Sequence, residues 1–360
     1  MSELTKALEQ AQEESKDMNE KQYKLQKKRI ETQFNQLERQ EKIQNAFSNL
    51  PIGRNVEERY SALAKENEEY IRLAKNAGIF LGMDVFADKV ALFPRNLILI
   101  SAETGTGKST TVANFIESYL KQNKKVLVIT NEEYPNDILN RILFLINGWA
   151  YNNHEGITQE QVDLCSRAYP ALGKNVEVVH DAFNGIGGTT TTLEGIKSVC
   201  QSLLDARSEG ITYDAIVIDY IQNISSSLDA PSMAKWQVMQ QVMTYLDNFK
   251  GLYDAPILVF GQLKAENGDA SFKDRQEGYK AIINHATTAI ELKVDRENLR
   301  TEWVFKKNRF KGAHGDSVFT GYHMGRFVEY DQEFKNKTLV KVEEKKHRKV
   351  LSSVFETKGS

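Results

Sequence analysis

The chain has 360 residues, the length of one large domain with appendages or of two modest domains. Hydrophobic residues make up 41% of it and charged residues 27%, with 22 glycines and 6 prolines, which excludes a wholly disordered, collagen-like or disulfide-framework protein. The formal net charge is −2, so a polyanionic partner must bind a local basic surface rather than the bulk charge.

The N-terminal part of the sequence predicts polar helices. Residues 1–50 contain no glycine or proline and are dominated by Gln, Glu and Lys, which indicates a long helix, either solvated or in a coiled coil. Pro51 and Gly53 end this helix, and residues 51–77 are predicted to form a linker helix. The chain has neither an apolar leader nor a run of about 18 apolar residues, so we expect a cytoplasmic protein with no membrane contact.

Residues 78–334 are predicted to form an α/β domain with a mostly parallel central sheet. Short, mostly apolar runs alternate with helical stretches, which indicates parallel strands buried on both faces. These runs are Leu97–Ile100, Val126–Ile129, Val176–Val179, Ala215–Ile218 and Ile257–Phe260. Three later segments have the character of antiparallel strands: Ala289–Val294, Thr301–Lys307 and Ser317–Tyr322. Residues 335–360 are predicted to be a basic, flexible tail.

A glycine-rich loop follows the first predicted strand and precedes a predicted helix. Its residues are Ala102, Glu103, Thr104, Gly105, Thr106, Gly107, Lys108, Ser109 and Thr110. Gly-Lys-Ser in this context is typical of a P-loop, in which backbone N–H groups at Gly105 and Gly107 converge on phosphate oxygens. We expect Lys108 to contact the β- and γ-phosphates of ATP and the Ser109 hydroxyl to bind Mg²⁺.

Three further strand ends carry side chains that ATP hydrolysis needs. Asp219 follows a buried apolar run, and we expect it to hold Mg²⁺ through water. Glu132 is predicted to activate the attacking water, with Glu133 as the alternative. Gln262 can hydrogen-bond the γ-phosphate and report its loss to the next loop; otherwise it is a simple polar strand end.

Five strings in the sequence resemble, in this order, the ATPase motifs of the DnaB-type replicative helicases. They are SAETGTGKST, VLVITNEEY, AIVIDYIQ, ILVFGQLK and FKKNRFKG, and the resemblance extends from about Gly78 to Tyr330. The family is RecA-like and hexameric, includes phage enzymes, and often has alanine where Ala102 replaces the first glycine of the general P-loop pattern. The resemblance implies a RecA-like ATPase core preceded by long N-terminal helices. For a phage-encoded chain, the expected location is the cytoplasm of the bacterial host.

The resemblance also implies a role for each motif residue. Glu132 matches the water-activating glutamate, Asp219 the metal-coordinating aspartate and Gln262 the sensor glutamine. Lys307 and Arg309 match a Lys-x-Arg pair that enters the ATP site of the adjacent subunit, where cations offset the charge of the transferred phosphoryl group. Without the family, these two residues would be interpreted as an exposed basic strand face.

A DNA-contacting loop is implied in the same way. The segment from residue 264 to residue 280 lies where the family has its second DNA-binding loop. Its candidate residues are Lys273, Arg275, Gly278 and Lys280. The family's Arg-Glu-x-Gly run appears here as Arg275-Gln-Glu-Gly278, which departs from the pattern.

These features together predict an ATP-dependent replicative helicase, a ring-shaped homo-oligomer, expected to be a hexamer, that translocates on single-stranded DNA and unwinds duplex DNA. The N-terminal helix is too polar to form the globular domain or primase of other members. We expect it to bind a primase or helicase loader, to form a collar, or to cradle DNA. Two alternatives stay open at this point: a RecA-type recombinase filament, and a RecA-like regulatory ATPase without a DNA substrate.

Overall fold

The computed structural model describes residues 55–149, 156–181, 188–226, 233–263, 279–295, 298, 300–309, 315–323, 325–331 and 334. The chain divides into two units, with the boundary between Glu68 and Glu69, inside the first described helix. All the described strands belong to the second unit. None of the helices in the described ranges combines the length and the hydropathy of a membrane span.

Seven α-helices lie in the described part of the chain. They are α1 (Val56–Lys75), α2 (Lys108–Lys121), α3 (Pro135–Ile146), α4 (Gln159–Leu172), α5 (Leu193–Ser208), α6 (Lys235–Tyr253) and α7 (Tyr279–His285). Three short 3₁₀ turns accompany them at Phe80–Gly82, Asp84–Phe86 and Ile221–Asn223. Helix α1 has no fully buried residue, and the acidic residues in its first turn and basic residues in its last turn complement the helix dipole. Its function as a linker stays a prediction.

The strands form one mostly parallel sheet. They are β1 (Leu97–Glu103), β2 (Val126–Thr130), β3 (Val176–Val179), β4 (Ala215–Asp219), β5 (Ile257–Leu263), β6 (Thr288–Asp295), β7 (Arg300–Asn308), β8 (Ser317–His323) and β9 (Arg326–Glu329). Their order is β3-β2-β4-β5-β1-β6-β7-β8-β9. The first six in this order pair in parallel and the last three add antiparallel pairings. The predicted α/β class and all the predicted strands are confirmed, with β6 parallel to β1 and antiparallel to β7.

The sheet separates two hydrophobic layers. Alternate residues of β1 point to opposite faces, so Ile98 and Ile100 join a layer that contains Phe115 of α2, whereas Leu97 and Leu99 join the layer formed by α5 and α6. Because both faces are covered, these parallel strands begin with four consecutive apolar residues, which is why the sequence shows apolar runs rather than alternation.

The parallel strands all begin at one edge of this sheet and all end at the opposite edge. We call the edge at which the parallel strands end the carboxyl edge, and the edge at which they begin the amino edge. The P-loop follows β1, Glu132 follows β2, Asp219 ends β4, and Gln262 lies near the end of β5. Since parallel strands all end at the same edge, four segments that are far apart in sequence meet there.

Candidate active site

The P-loop has the backbone that phosphate binding requires. Gly105 and Gly107 adopt positive φ angles of 75° and 95°, a region that glycine enters without strain. Gly107 caps α2, and its carbonyl accepts hydrogen bonds from the N–H and the hydroxyl of Thr111, at 2.8 and 2.9 Å. The N-terminus of a 14-residue helix, with its partial positive charge, therefore adjoins the loop.

Lys108 reaches across the carboxyl edge. Its side chain is 8% exposed, and its Nζ lies 3.4 Å from Oε2 of Glu132 and 4.0 Å from the centre of the Tyr220 ring. The carboxylate and the aromatic face both favour a cation. The ammonium group is thus held between the ends of β2 and β4.

Asp219 is a buried carboxylate with an unsatisfied atom. The residue is 1% exposed, and its Oδ1 has no hydrogen-bond partner among the described residues. Burial raises the pKa of Asp219 to about 7, and the negative charges of Glu132 and Glu133 also raise it, whereas Lys108 lowers it. Mg²⁺ keeps several waters, which would supply the missing donors, and Ser109 in the first turn of α2 offers a hydroxyl ligand. These two residues fit a magnesium site.

The two glutamates after β2 have different partners. Oε1 of Glu133 lies 2.8 Å from Nη2 of Arg141, and both side chains are about one-fifth exposed. Glu132 is 42% exposed and faces Lys108 instead. Glu132 is therefore the one beside the P-loop lysine, and its role as the water-activating base stays a prediction.

Gln262 contacts the P-loop directly. Its side-chain Nε2 donates to the Thr104 hydroxyl. Its backbone N–H donates to Oε1 of Gln222, and its backbone carbonyl accepts from Nε2 of Gln222, both at 3.0 Å. Gln222 is not among the residues predicted from the sequence, although it ends the matched string AIVIDYIQ.

Asn131 is a second residue not predicted from the sequence. Its side chain donates to the carbonyls of Thr190 and Tyr220 and accepts from the Tyr220 N–H, each at 3.1 Å. It therefore joins the end of β2 to the segment that follows Asp219. Asn131 lies in the matched string VLVITNEEY, but the sequence does not indicate its role, because its partners are backbone groups that only the folded sheet edge brings together.

A second aspartate at the carboxyl edge is fully engaged. Asp181 accepts from the N–H groups of Gly188 and Thr190 and from the hydroxyls of Thr190 and Thr191. Burial raises the pKa of Asp181, but these hydrogen bonds outweigh it and hold the pKa below its ordinary value. The next residue, Thr192, caps α5 by accepting from the N–H of Gly195 at 3.0 Å. This aspartate supports a loop, in contrast with Asp219.

A cavity of about 400 Å³ adjoins the P-loop. Its lining combines loop residues with side chains from the antiparallel strands: Gly105, Thr106, Gly107, Thr110, Val294, Asp295, Arg300, Thr301, Tyr322 and Phe327. Most of the exposed lining is apolar, and Tyr322 packs edge-to-face on Phe327 at 5.8 Å between ring centres. The cavity can accept a flat, apolar group attached to phosphates on the loop.

Lys307 and Arg309 lie at the amino edge. Nζ of Lys307 donates to the carbonyls of Ile283 and Asn284 at 2.7 and 3.0 Å, and Nη2 of Arg309 donates to Asn284 at 3.2 Å. Both cations therefore bind carbonyls at the C-terminal end of α7, where the helix dipole is negative. Burial, assisted by the charge of Arg309, lowers the pKa of Lys307 to about 8.

The strand register separates these cations from the P-loop of the same chain. Asn308 pairs with Thr288, and Thr288 pairs with Ile98 on β1. Glu103 comes five residues after Ile98 on β1, which is about 16 Å along the strand. The structure thus brings Lys108, Glu132, Asp219 and Gln262 together and leaves Lys307 and Arg309 at the opposite edge.

The predicted DNA-contacting residues fall mostly outside the described part of the chain. Lys273, Arg275 and Gly278 belong to the undescribed residues 264–278. Lys280 lies in α7, so its backbone is helical rather than part of a loop. Their contribution to DNA binding stays a prediction.

Comparisons with known proteins agree with this geometry. The family model of the DnaB-like helicase C-terminal domain matches residues 80–275, more than half of the chain. No curated protein gives a significant sequence match. A solved structure described as an "ATPase Domain" is similar, with a TM-score of 0.58 and 14% identity over 75% of this chain and 98% of that one. So is "The Structure Of A DnaB-Like Replicative Helicase And Its Interactions With Primase", with a TM-score of 0.56 and 14% identity over 87% and 81%. The RecA-like fold is confirmed.

Proposed function

From the premise that this chain belongs to the DnaB-like helicase family, we propose that it is an ATP-dependent replicative DNA helicase that translocates on single-stranded DNA as a ring and unwinds duplex DNA. The observation that carries the proposal is the unpartnered buried oxygen of Asp219 beside a P-loop lysine. A purely structural aspartate in this position would have its oxygens bonded, as Asp181 has.

In this proposal the carboxyl edge binds Mg²⁺ and ATP. The P-loop N–H groups and Lys108 hold the β- and γ-phosphates, and Ser109 and Asp219 hold the metal, which would neutralise charge on the phosphate oxygens. Glu132 takes a proton from the attacking water. Because Glu132 lies 3.4 Å from Lys108, binding of the γ-phosphate to Lys108 would also free this carboxylate.

The base and ribose have a natural position in the cavity beside the loop. Its apolar lining, including Val294, Tyr322 and Phe327, suits the face of a nucleobase. The phosphates then lie towards Gly105 and Gly107, which form the same wall.

The finger cations, Lys307 and Arg309, are proposed to act in a neighbouring subunit. They cannot reach the P-loop of their own chain, because about 16 Å of strand separates the two levels. A head-to-tail contact between copies would bring the amino edge of one chain to the carboxyl edge of the next, and such contacts close into rings when the rotation permits. Hydrolysis would then require assembly.

The partners follow from the same proposal. Single-stranded DNA would contact Lys273, Arg275, Gly278 and Lys280 in the centre of a homo-oligomeric ring, for which we propose six subunits. The helicase in one similar structure is described with a primase. For this chain, we propose that the N-terminal helix binds a primase or a helicase loader.

The decisive experiment combines hydrolysis, unwinding and imaging of the full chain. We expect ATP hydrolysis that requires Mg²⁺ and is stimulated by single-stranded DNA, strand separation of a forked duplex, and six-membered rings by electron microscopy. Stimulation should weaken as salt rises, because phosphate binding releases counterions. The matched control is Lys108→Ala, which should abolish all hydrolysis. DNA-stimulated hydrolysis with long helical filaments and no unwinding would instead support a recombinase, and hydrolysis indifferent to DNA would support a regulatory ATPase.

A further inference from the structure

Near the end of β5, a side chain provides hydrogen bonds that a neighbouring strand would otherwise provide. Strand β4 pairs with β5 only as far as Ile218 opposite Val259, whereas β1 follows β5 to Leu263. From Phe260 onwards, the side of β5 that faces β4 therefore has no strand beside it in the register. Backbone groups on that side must find other partners or stay unsatisfied in a buried position.

The alternation of backbone groups identifies which residues face that side. The Pro256 carbonyl accepts from Ile216 of β4, and the Ile257 N–H donates to Asn96 on the β1 side. Since the N–H and C=O of successive residues point to opposite sides of a strand, even-numbered residues of β5 face β4. Both backbone groups of Gln262 thus point into the region that β4 has left.

Gln222 fills this position. Its side chain is buried, with the residue 6% exposed, and its amide donates to and accepts from the backbone of Gln262 at 3.0 Å in both directions. A side-chain amide has the same donor and acceptor as a peptide group, so it can complete the ladder at this one residue. Gln222 lies three residues after Asp219, in the turn Ile221–Asn223.

We propose that Gln222 is a positioning residue that sets the backbone of Gln262 and thereby links the turn after Asp219 to the glutamine that contacts the P-loop. The chain of contacts runs from Asp219 through the Ile221–Asn223 turn to Gln222, then to the Gln262 backbone, and from the Gln262 side chain to Thr104. This inference rests on the proposed function, because the sensor role of Gln262 is the one that the resemblance to the helicase family implies.

The first test measures the hydrogen bonds themselves. Gln222→Met keeps the length of the side chain but has no amide. In the full-length variant, amide exchange of Gln262 should become about 10-fold faster, since one hydrogen bond is lost, while Gly261, which faces β1, should be unchanged. Gln201→Met is the control, because Gln201 is exposed and its side chain donates to Asp205. Unchanged exchange at Gln262 would overturn the proposal.

The second test measures positioning during hydrolysis. Gln222→Met should lower kcat about 10-fold or more with KM within about 3-fold, since it displaces a residue rather than the phosphate cradle. Adding Gln222→Met to Gln262→Ala should cause little further loss, because both changes disable one unit. Full additivity of the two losses in kcat would contradict the inference, since it would mean that Gln222 does not act through Gln262.

The two proposals fail in distinguishable ways. If Gln222→Met does not fold, Gln222→Glu keeps an acceptor for the Gln262 N–H and replaces the amide donor with a carboxylate oxygen, and the same cycle is measured with it. Absence of hydrolysis in the unchanged protein would remove the proposed function and the catalytic meaning of Gln222 together. Normal hydrolysis in the unchanged protein with additive variants would remove only the role of Gln222.

Discussion

The charged side chains at the two edges of the sheet differ in their hydrogen-bond partners. At the carboxyl edge, an oxygen of buried Asp219 has no donor among the described residues, and Lys108 lies between a carboxylate and an aromatic ring. At the amino edge, Lys307 and Arg309 are bonded to carbonyls of α7. The carboxyl edge therefore has a buried oxygen that can still accept a ligand. The amino edge has two cations that lie too far away to reach the P-loop of the same chain. An active site shared between subunits needs a P-loop from one subunit and cations from the next, and each chain has both at opposite edges of its sheet.

The largest expected effect comes from inactivating each edge with a separate substitution and then mixing the two variants. Arg309→Ala and Lys108→Ala should each lower hydrolysis by about 10³-fold or more, because in the proposed mechanism each removes a cation from the transferring phosphoryl group. Mixed under conditions of subunit exchange, the two variants should recover hydrolysis at interfaces that pair an intact P-loop with an intact Arg309. The measurement is turnover against mixing ratio, with each variant alone as the control. Exchange without recovery at any ratio would place Arg309 in its own subunit's chemistry or require every site in one ring to be intact.

The next effect distinguishes two neighbours at the carboxyl edge. Glu132→Gln should bind ATP but hydrolyse it about 10²- to 10⁴-fold more slowly, because the amide cannot accept the proton of water. Glu133→Gln is the matched control, since its carboxylate is paired with Arg141 rather than with Lys108. Single-turnover hydrolysis and nucleotide affinity are measured for both. A normal rate in Glu132→Gln with a slow Glu133→Gln would reverse the assignment.

A smaller effect compares two aspartates at the same edge. The pKa of Asp219 is raised to about 7, so the folded protein holds a proton that the unfolded chain releases, and stability falls as pH rises from about 4 to 7. At pH 8 without nucleotide, Asp219→Asn should therefore raise the free energy of unfolding, by about 4 kcal/mol at most. The pKa of Asp181 is lowered instead, and its contribution is present above about pH 4 and lost as pH falls. Asp181→Asn should cost about 1–2 kcal/mol at pH 8. Thermal unfolding of both variants checks this prediction. A change of the unfolding free energy in the same direction for both variants would contradict it.

Much of the fold could be predicted from the sequence because burial on both faces gives most of the parallel strands a continuous apolar run. The runs at Leu97, Val126, Val176, Ala215 and Ile257 all begin strands of the sheet. The P-loop was equally predictable, since its glycines and lysine are local in sequence and their spacing follows from the chemistry of phosphate binding.

The remainder depends on where strands stop and which edges they reach. Gln222 acquires its partner only because β4 leaves β5 after Val259. The distinction between Glu132 and Glu133 depends on Arg141, eight residues after Glu133 on α3. That Lys307 and Arg309 lie at the amino edge depends on the register between β7, β6 and β1. None of these features leaves a periodic signal in the sequence.

The smallest expected effect is a pH dependence of hydrolysis that arises from Lys307 at the amino edge. Lys307 has a pKa of about 8 because it is partly buried and lies near Arg309, so its ammonium loses its charge as pH rises through that value. If this cation serves the neighbouring subunit's site, kcat/KM for ATP should fall several-fold between pH 7 and pH 9. The kcat should fall less, since a bound phosphate near the ammonium raises its pKa.

Lys307→Arg is the variant that isolates this effect, because a guanidinium stays charged throughout the range. Its kcat/KM should show no decline between pH 7 and pH 9, whatever its rate at pH 7. Lys293→Arg, on β6 and outside the proposed machinery, is the matched control and should keep the decline of the unchanged protein. If kcat/KM still declines in Lys307→Arg, another group is responsible for the titration. Arg309 would then be the only one of the two cations proposed to act in the neighbouring site.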